Sequence, residues 1–324
     1  MKISVVTPLY GSAPYIEELH CRTVAAIQAI GANDYEMIFV NDNGPDDSLD
    51  VAVRVAGRDT RTVVVDLSRN FGQHHAIMAG LARATGDYVF ILDSDLEEQP
   101  EWLEQFFGEM RRQPCDVVYG VSDDPKGGWL YTLARSIYYR VLNFLSPIRF
   151  PANVCTARLM SRRYVEALLQ FGERELFMAG IWHMAGFSQM AVRVAKRDSS
   201  PTTYSFGRRL NLFVNAVTAF STRPLIMISV LGMLLSMLAL LFVGYVVFRK
   251  VVYGVDIEGW TSVMAAVLLI GGASLFFNGV VAIYIAKIFV EVKQRPRAIV
   301  RHVYRDETGQ RETPPPASDV QGPT

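Results

Sequence analysis

Two carboxylates one residue apart, Asp93 and Asp95, directly follow a continuous apolar run at residues 88–92. Such a run is typical of a strand that is buried on both faces of a parallel sheet. Open α/β sheets bind ligands at the carboxyl ends of their strands, and carboxylate oxygens suit a divalent cation that could hold a diphosphate. The alternative is that the Asp-Ser-Asp triplet only ends the strand and caps the helix starting near Pro100.

The residues before this strand alternate between strand and helix patterns. Strands are predicted at residues 3–7, 37–40, 62–67 and 88–92, and helices at residues 16–30, 49–56 and 75–84. Right-handed crossovers between such elements give a parallel α/β sheet, so the loops after the four strands should face one cleft. Those loops comprise residues 8–11, 41–47, 68–72 and 93–98.

Two of these loops carry side chains suited to a nucleotide. Asp42 ends the second strand, where it can accept hydrogen bonds from a ribose or a base; an Asx turn is the alternative interpretation of its loop. In the third loop, Arg69 has the reach for a phosphate and Gly72 permits close backbone approach. His74 and His75 would point about 100° apart on a helix, so they should not share one metal ion.

Composition excludes several function classes. The chain has 324 residues, half of them hydrophobic, which is enough for one large or two smaller domains and an apolar segment. A net charge of zero argues against nucleic acid as a partner. Three widely spaced cysteines fit a reducing compartment without a zinc site. Because the chain enters a strand without a signal peptide, the first domain is expected in the cytosol.

The ordered combination of VVTPLY, FVNDNGPDD, DLSRNFGQHHAIMAGLARATGDYVFILDSDLEEQP and DVVYGV resembles the family 2 glycosyltransferases of the GT-A fold. It is most similar to the membrane-anchored polyprenyl-phosphate sugar transferases, the group of dolichyl-phosphate mannose synthase and bacterial undecaprenyl-phosphate relatives. The resemblance covers residues 1–301 and implies a Rossmann-like, mostly parallel sheet. It also implies an inverting, metal-dependent transfer from a nucleotide-sugar to a polyprenyl phosphate, for cell-envelope glycans such as lipopolysaccharide.

The resemblance implies roles for individual residues. The nucleotide-sugar would be bound by Pro8, Tyr10, Asp42, Asn70, Gly72, Asp93 and Ser94. Asp93 and Asp95 would act in catalysis by binding Mg²⁺ or Mn²⁺, and Glu97, which replaces a Gln of relatives, would join the metal site. The acceptor phosphate would be clamped by Arg135 and Arg140, with Arg208 or Arg209 as alternatives. The run at residues 198–204 lacks the Lys and Gly of relatives, which leaves the acceptor open.

The second half of the chain points to a membrane. Residues 128–150 and 206–224 mix apolar and aromatic residues with arginines, which is typical of helices in a membrane interface; ordinary surface helices are the alternative. Charge-free runs at residues 225–248 and 261–286 are long enough to cross a bilayer as a hairpin. Lys and Arg outside this hairpin outnumber those in its link, so both ends are expected in the cytosol.

These patterns predict four regions and a multi-pass protein of the inner cell membrane, with a homo-oligomer formed through the spans. The regions are a catalytic domain at residues 1–205, an interfacial helix at 206–224, two spans within 225–290, and a cytosolic tail at 291–324, disordered from about 307.

Two other functions are open on the sequence alone. A lipid phosphate is largely ionised near pH 7, with a second pKa of roughly 6, so it needs positioning more than a base. Transfer to a hydroxyl of a lipid-linked saccharide would instead need a base such as Glu173 or Glu175. A non-catalytic scaffold that binds nucleotide-sugar is the second alternative, but the intact acidic pair favours an enzyme.

Overall fold

The computed structural model describes residues 1–122, 153–174, 176–196, 221–253 and 259–305, together with residues 140, 144 and 218. The chain divides into two compact units. One contains residues 1–139, 150–203 and 295–324, and the other contains residues 140–149 and 204–294. The two predicted interfacial helices fall almost entirely outside the described residues, and so does the predicted disordered tail.

The first unit begins with four strands separated by three helices, as the sequence patterns predict. In chain order these elements are β1 (Lys2–Leu9), α1 (Ile16–Ala29), β2 (Asp34–Asn41), α2 (Ser48–Arg58), β3 (Thr62–Leu67), α3 (Gln73–Leu81) and β4 (Tyr88–Ile91). β1 lies between β4 and β2, β2 pairs with β3, and all three pairings are parallel. Every residue of β3 is buried, which fits a strand covered on both faces.

The remaining elements of this unit extend the sheet at both sides. They are α4 (Trp102–Arg112), β5 (Val117–Ser122), β6 (Val154–Ser161), α5 (Arg162–Leu169), α6 (Met178–Met184), β7 (Gln189–Val194) and β8 (Val300–Arg305). The described strands form one sheet in the order β7-β5-β6-β4-β1-β2-β3-β8. β6 runs antiparallel to β4 and β5, and β8 runs antiparallel to β3. The predicted mostly parallel α/β sheet is therefore confirmed.

Helices cover both faces of the sheet. α1, α2 and α4 pack apolar side chains such as Leu19, Val55 and Phe106 on one face. α3, α5 and α6 pack residues such as Ile77 and Tyr164 on the other face. This arrangement buries the apolar strand residues on both sides and leaves the carboxyl ends of the parallel strands at one edge.

Gly80 lets α3 lie unusually close to the sheet. A Cβ atom at this position would overlap the side chain of Val6 and would approach Cγ2 of Val40 to 3.0 Å. The close contact lies near the C-terminal end of α3, and the helix begins at Gln73 and His74, directly after the loop that follows β3.

The last strand corrects the sequence-based domain division. Residues 291–324 were expected to be a tail outside a catalytic domain that ends at residue 205, yet β8 returns to the sheet. Val303 pairs with Val65 and is 1% exposed, so β8 contributes to the core. The pairing joins segments more than 200 residues apart, and local periodicity carries no sign of such a partner.

The second unit contains two long apolar helices, α7 (Arg223–Tyr253) and α8 (Trp260–Val292). Within them, the segments Arg223–Tyr245 and Leu269–Val292 are long and apolar enough to cross a membrane. Many of their apolar side chains are exposed, and Leu240, Leu269 and Leu275 are each about three-quarters exposed. The predicted spans at residues 225–248 and 261–286 thus lie within two helices whose surfaces suit lipid.

Candidate active site

The loops after β1 and β2 are held together by a short chain of polar contacts. The backbone N–H of Ser12 donates to Oγ of Ser48 at 2.8 Å, and that hydroxyl donates to Oδ1 of Asp46 at 2.7 Å. The other oxygen of Asp46 accepts from the N–H of Ala13 at 2.9 Å. Just before these contacts in the chain, Pro8 is buried and Tyr10 is 59% exposed. The Tyr10 ring therefore stands open at the edge of the sheet, where it could stack on a planar ligand.

Asp42 joins the loop after β2 to the loop after β3. Its Oδ1 accepts from the backbone N–H of Phe71 at 2.7 Å, and its Oδ2 accepts from that of Gly72 at 2.8 Å. Burial raises the pKa of this carboxyl, although the two N–H donors favour its charged form. Asp42 thus holds the two loops together, while its predicted contact with a nucleoside remains a prediction.

The loop after β3 combines a glycine with a positive φ and an arginine that lies over an aromatic ring. Gly72 has a φ of 96°, a conformation that favours glycine, and it directly precedes α3. Asn70 is exposed, and its carbonyl accepts from Nη1 of Arg69 at 2.9 Å. The Arg69 guanidinium lies over the ring of Phe71, 4.0 Å from its centroid. This loop therefore offers an exposed cation, Arg69, and an exposed side chain, Asn70, beside Asp42.

The loop after β4 carries the two carboxylates of the Asp-Ser-Asp triplet in different surroundings. Asp93 is half-buried and its Oδ1 accepts from Nε2 of Gln73 at 2.7 Å. The hydroxyl of Ser94 lies 2.6 Å from that of Ser12, which ties this loop to the loop after β1. Asp95 is exposed, and its Oδ1 accepts from the N–H of Glu97 at 3.0 Å. One carboxylate is thus anchored while the other is free to meet a ligand.

Glu98 fixes the far end of this loop to β6. Its two oxygens accept from the backbone N–H groups of Thr156 at 3.0 Å and Ala157 at 2.6 Å. It also pairs with Nζ of Lys196 at 3.0 Å, although the Glu98 side chain is only 1% exposed. A buried carboxylate with these partners locks the loop in place, because its release would leave a charge or two amides unsatisfied.

The carboxylates near Asp93 outnumber the cations near it, since Glu98 and Asp95 face one ammonium, that of Lys196. Burial raises the pKa of Asp93 to about 7, and the nearby charges of Glu98 and Asp95 add to this effect. The hydroxyl of Thr156 and the ammonium of Lys196 act in the opposite direction but only in part. A divalent cation would relieve this repulsion, and the donor set of carboxylate oxygens suits Mg²⁺ or Mn²⁺.

The predicted metal ligands do not form a preassembled cluster. Across the residues that the structure describes, no three His, Cys, Asp or Glu side chains are placed to hold one ion. Glu97 is half-buried and is joined to Asp95 through its backbone N–H. The metal site of Asp93, Asp95 and Glu97 therefore remains a prediction, supported by the local excess of negative charge.

A cavity of about 110 Å³ lies beside Asp93. Its lining includes Gln73 and Thr156, both of which are hydrogen-bonded to Asp93, and the aromatic rings of Phe177 and Trp182. The Nε1–H group of Trp182 is buried, and no residue in the described part of the chain accepts a hydrogen bond from it. The cavity thus combines apolar walls with polar groups, as in sites that bind sugars and other small polar ligands.

The two adjacent histidines support this cavity without forming a metal site. Nδ1 of His74 lies 2.9 Å from the carbonyl oxygen of Leu176, and Nε2 of His75 lies 3.1 Å from that of Arg174. A carbonyl only accepts, so each of these nitrogens carries a proton. Burial also lowers the pKa of His74, which keeps its ring neutral. Both rings hold the segment that leads into α6.

The arginines predicted to bind the acceptor are not brought to this site by the described structure. Arg140 is exposed and belongs to the second unit. Arg135, Arg208, Arg209 and Glu175 lie outside the described residues, and Glu173 is half-buried. The binding of the acceptor by these residues therefore remains a prediction from the sequence.

Several residues of the site were not found from the sequence. Gln73, Ser12, Glu98 and Lys196 owe their roles to partners from other loops, so no local pattern marks them. Glu98 alone carried a signal, because it lies in the acidic run that follows the Asp-Ser-Asp triplet.

The sequence of this chain is similar to those of known glycosyltransferases. The model of glycosyl transferase family 2 matches residues 4–169. A protein of Mycobacterium tuberculosis (strain CDC 1551 / Oshkosh), named among the glycosyltransferases, is 41% identical over 96% of this chain and 91% of its own length. The SfII prophage-derived bactoprenol glucosyl transferase of Shigella flexneri is 30% identical over 94% of this chain and 99% of its own.

Solved structures of lower similarity also match. The mannosyltransferase PcManGT from Pyrobaculum calidifontis, in complex with GDP-Man and Mn²⁺, has a TM-score of 0.48 and 17% identity, with 90% of this chain and 86% of that one covered. On the family match and the 41% identical relative, the chain belongs to glycosyl transferase family 2.

Proposed function

We propose that this glycosyltransferase moves a sugar from a nucleoside-diphosphate sugar to a membrane polyprenyl phosphate, with inversion at the anomeric carbon. The product would be a polyprenyl-phosphate sugar for the synthesis or modification of cell-envelope glycans. The proposal is carried by the carboxylate loop of Asp93 and Asp95, which borders a partly apolar cavity. It is supported by a bactoprenol glucosyl transferase that aligns with 94% of the chain.

The donor would bind across the loops that follow β1 to β4. Tyr10 offers an exposed ring for the base, and Pro8, Asp42, Asn70, Gly72 and Ser94 shape the surrounding loops. Asp95 and Asp93, with Glu97 nearby, would hold Mg²⁺ or Mn²⁺ at the diphosphate. When bound, the cation would neutralise the charge that develops on the leaving group.

The cavity beside Asp93 is the place for the transferred sugar ring. Gln73 and Thr156 would orient its hydroxyl groups through hydrogen bonds. Phe177 and Trp182 would exclude water from the anomeric carbon. This chain's residues thereby position the ring for attack rather than transfer a proton.

The acceptor phosphate would attack in its ionised form, so the reaction needs no strong general base. Arg135 and Arg140 would clamp it through charge-assisted hydrogen bonds at the membrane interface. α7 and α8 would anchor the enzyme in the cell membrane as a hairpin, with the sheet unit in the cytosol and self-association through these helices.

Transfer with purified protein tests the proposal. The full chain in detergent is incubated with Mg²⁺ or Mn²⁺, undecaprenyl phosphate and a panel of radiolabelled nucleotide-sugars. We expect one donor to yield a lipid-extractable product that mild acid cleaves, since a sugar joined through a monophosphate is acid-labile. A stable glycoside, or no lipid product with any donor, would refute it.

Two variants control this experiment. Asp95→Asn removes the exposed carboxylate and should reduce transfer by about 10²-fold or more, because stabilisation of the leaving diphosphate is lost. Asp34→Asn changes an exposed aspartate at the opposite end of β2 and should leave transfer unchanged.

A further inference from the structure

The strand that follows the second apolar helix reaches the same edge of the sheet as the donor loops. β8 pairs with β3, and Val300 lies opposite Leu67, the last residue of β3. One step earlier, the carbonyl of Ile299 accepts from the N–H of Ser68 at 2.8 Å. The beginning of β8 therefore borders the loop that carries Gly72.

Arg301 uses this position to contact two donor loops at once. Its Nη2 donates to the carbonyl oxygen of Ser68 at 2.7 Å and to Oδ1 of Asn43 at 3.2 Å. Its Nη1 lies 3.6 Å from Oδ2 of Asp66. Ser68 starts the loop after β3, and Asn43 lies in the loop after β2, so one guanidinium bridges the two.

The bridged groups need such a partner. The Asp66 side chain is 1% exposed, and its Oδ1 accepts from Nδ2 of Asn41 at 2.8 Å. Its Oδ2 accepts no hydrogen bond from any residue that the structure describes. The Arg301 charge offsets the cost of this buried carboxylate. Asn43 has a φ of 52°, in the left-handed region that asparagine and glycine adopt more readily than other residues.

Asp42 lies between these contacts. It precedes Asn43 in one loop, and it binds the N–H groups of Phe71 and Gly72 in the other loop. Arg301 and Asp42 therefore each join the loop after β2 to the loop after β3. Loosening one of them should let the loops separate at the pocket that the donor nucleotide would occupy.

We propose that Arg301 is a positioning residue for the donor nucleotide, and that β8 completes the donor site from the far end of the chain. The inference rests on the proposed function, because it takes these loops to be the nucleotide pocket. Arg301 acts through Asn43 and Ser68 and does not touch the nucleotide.

Nucleotide binding by the full chain tests this directly. UDP, GDP, CDP and dTDP are titrated calorimetrically in the presence of Mn²⁺ into wild type, Arg301→Gln and Arg305→Gln. Arg305 is exposed on the same strand and pairs opposite Val63, at the other end of β3. For the diphosphate that wild type binds, we expect Kd to rise about tenfold in Arg301→Gln only.

Kinetics should separate positioning from a general loss of structure. In Arg301→Gln, the donor KM should rise about tenfold, while kcat at saturating donor and the acceptor KM stay within about twofold of wild type. Arg301→Lys should recover only part of the loss, because an ammonium cannot reproduce the planar fork of the guanidinium. A lower Tm and kcat with an unchanged donor KM would overturn the inference.

A double-mutant cycle tests whether Arg301 acts through Asn43 or contacts the nucleotide directly. Asn43→Gly removes the side-chain amide, and glycine tolerates the positive φ. The Kd of the double variant Arg301→Gln/Asn43→Gly for the diphosphate should be no higher than that of the single variant that binds more weakly. Losses that multiply would overturn the positioning role. If wild type binds no diphosphate, both this inference and the proposed function fail; if Arg301→Gln binds like wild type, only the inference fails.

Discussion

Three buried or half-buried carboxylates at the edge of the sheet differ in how their charge is compensated. Asp42 accepts two backbone N–H groups, and Glu98 accepts two more and pairs with Lys196. Asp93 accepts from Gln73 and from the hydroxyl of Thr156 among the residues that the structure describes, and its pKa is raised to about 7. Asp93 is therefore the carboxylate that gains most from a bound cation.

The Asp93 and Asp95 pair was predictable because its two members are adjacent in sequence and follow a buried strand. Their supporting partners were not predictable. Gln73 reaches Asp93 only because α3 starts beside β4 in space, and Ser12 reaches Ser94 from a loop more than 80 residues earlier. Such contacts depend on the order of strands in the sheet, which periodicity does not encode.

Glu97 should tune the choice of metal without being required. The resemblance to the family implies a Gln at this position, and Glu97→Gln keeps the size of the side chain while removing its charge. We expect turnover within about tenfold of wild type and a changed ratio of Mg²⁺-supported to Mn²⁺-supported activity. Glu104→Gln, an exposed change on α4, should alter neither. Complete loss of turnover in folded Glu97→Gln protein would contradict this.

His74 should make stability depend on pH. Its pKa is lowered in the folded protein, so the unfolded chain takes up a proton first as the pH falls below about 6.5. Wild type should then lose stability by at most about 1.4 kcal/mol per pH unit until the folded-state pKa is reached. His74→Asn, which keeps a donor for Leu176, should lack this loss when unfolding is compared at pH 7, 6 and 5. Equal slopes would refute it.

α3 links the packing of the sheet to the chemistry of the site. Its N-terminus supplies Gln73 to Asp93 and His74 to the cavity wall, and Gly80 lets its C-terminal end lie against β1. The helix itself was predictable from its apolar spacing, as were β1 to β4. Its close approach was not, because the need for a glycine at one position appears only once Val6 is placed beneath it.

Gly80→Ala should destabilise the protein despite the higher helix propensity of alanine. The added methyl group would overlap Val6, and over-packing of this kind costs about 1–3 kcal/mol. Gly108→Ala on α4 is the matched control, because a Cβ there has no neighbour within 4 Å. That change should stabilise by about 0.5–1 kcal/mol. Unfolding in denaturant measures both, and equal effects would contradict the packing argument.

For the whole molecule, the chain leaves the sheet unit for two long apolar helices and then returns to the sheet through β8. The two helices were predictable, since uninterrupted apolar runs of this length are typical of helices that can cross a membrane. The return was not, because β8 is a short mixed sequence whose partner is β3. A sequence-based division therefore separates segments that the fold unites.

This path predicts that both termini lie on one side of the membrane, in the cytosol. In sealed vesicles, a membrane-impermeant maleimide should label Asp256→Cys, in a cysteine-free background, only from the non-cytosolic side. Cys21, exposed on α1, is the matched reporter when retained as the single cysteine, and it should react only from the cytosolic side. Labelling of both from the same side would refute the predicted topology.

The central claim is that the new bond forms at a lipid phosphate. The ³¹P NMR signal of undecaprenyl phosphate follows its second ionisation, with a pKa of roughly 6, whereas a phosphodiester has no such ionisation. After complete turnover with the active donor, we predict that this titrating signal is replaced by one that does not change between pH 5 and 8. Sugar incorporation into the lipid fraction with the phosphate signal still titrating would contradict the account.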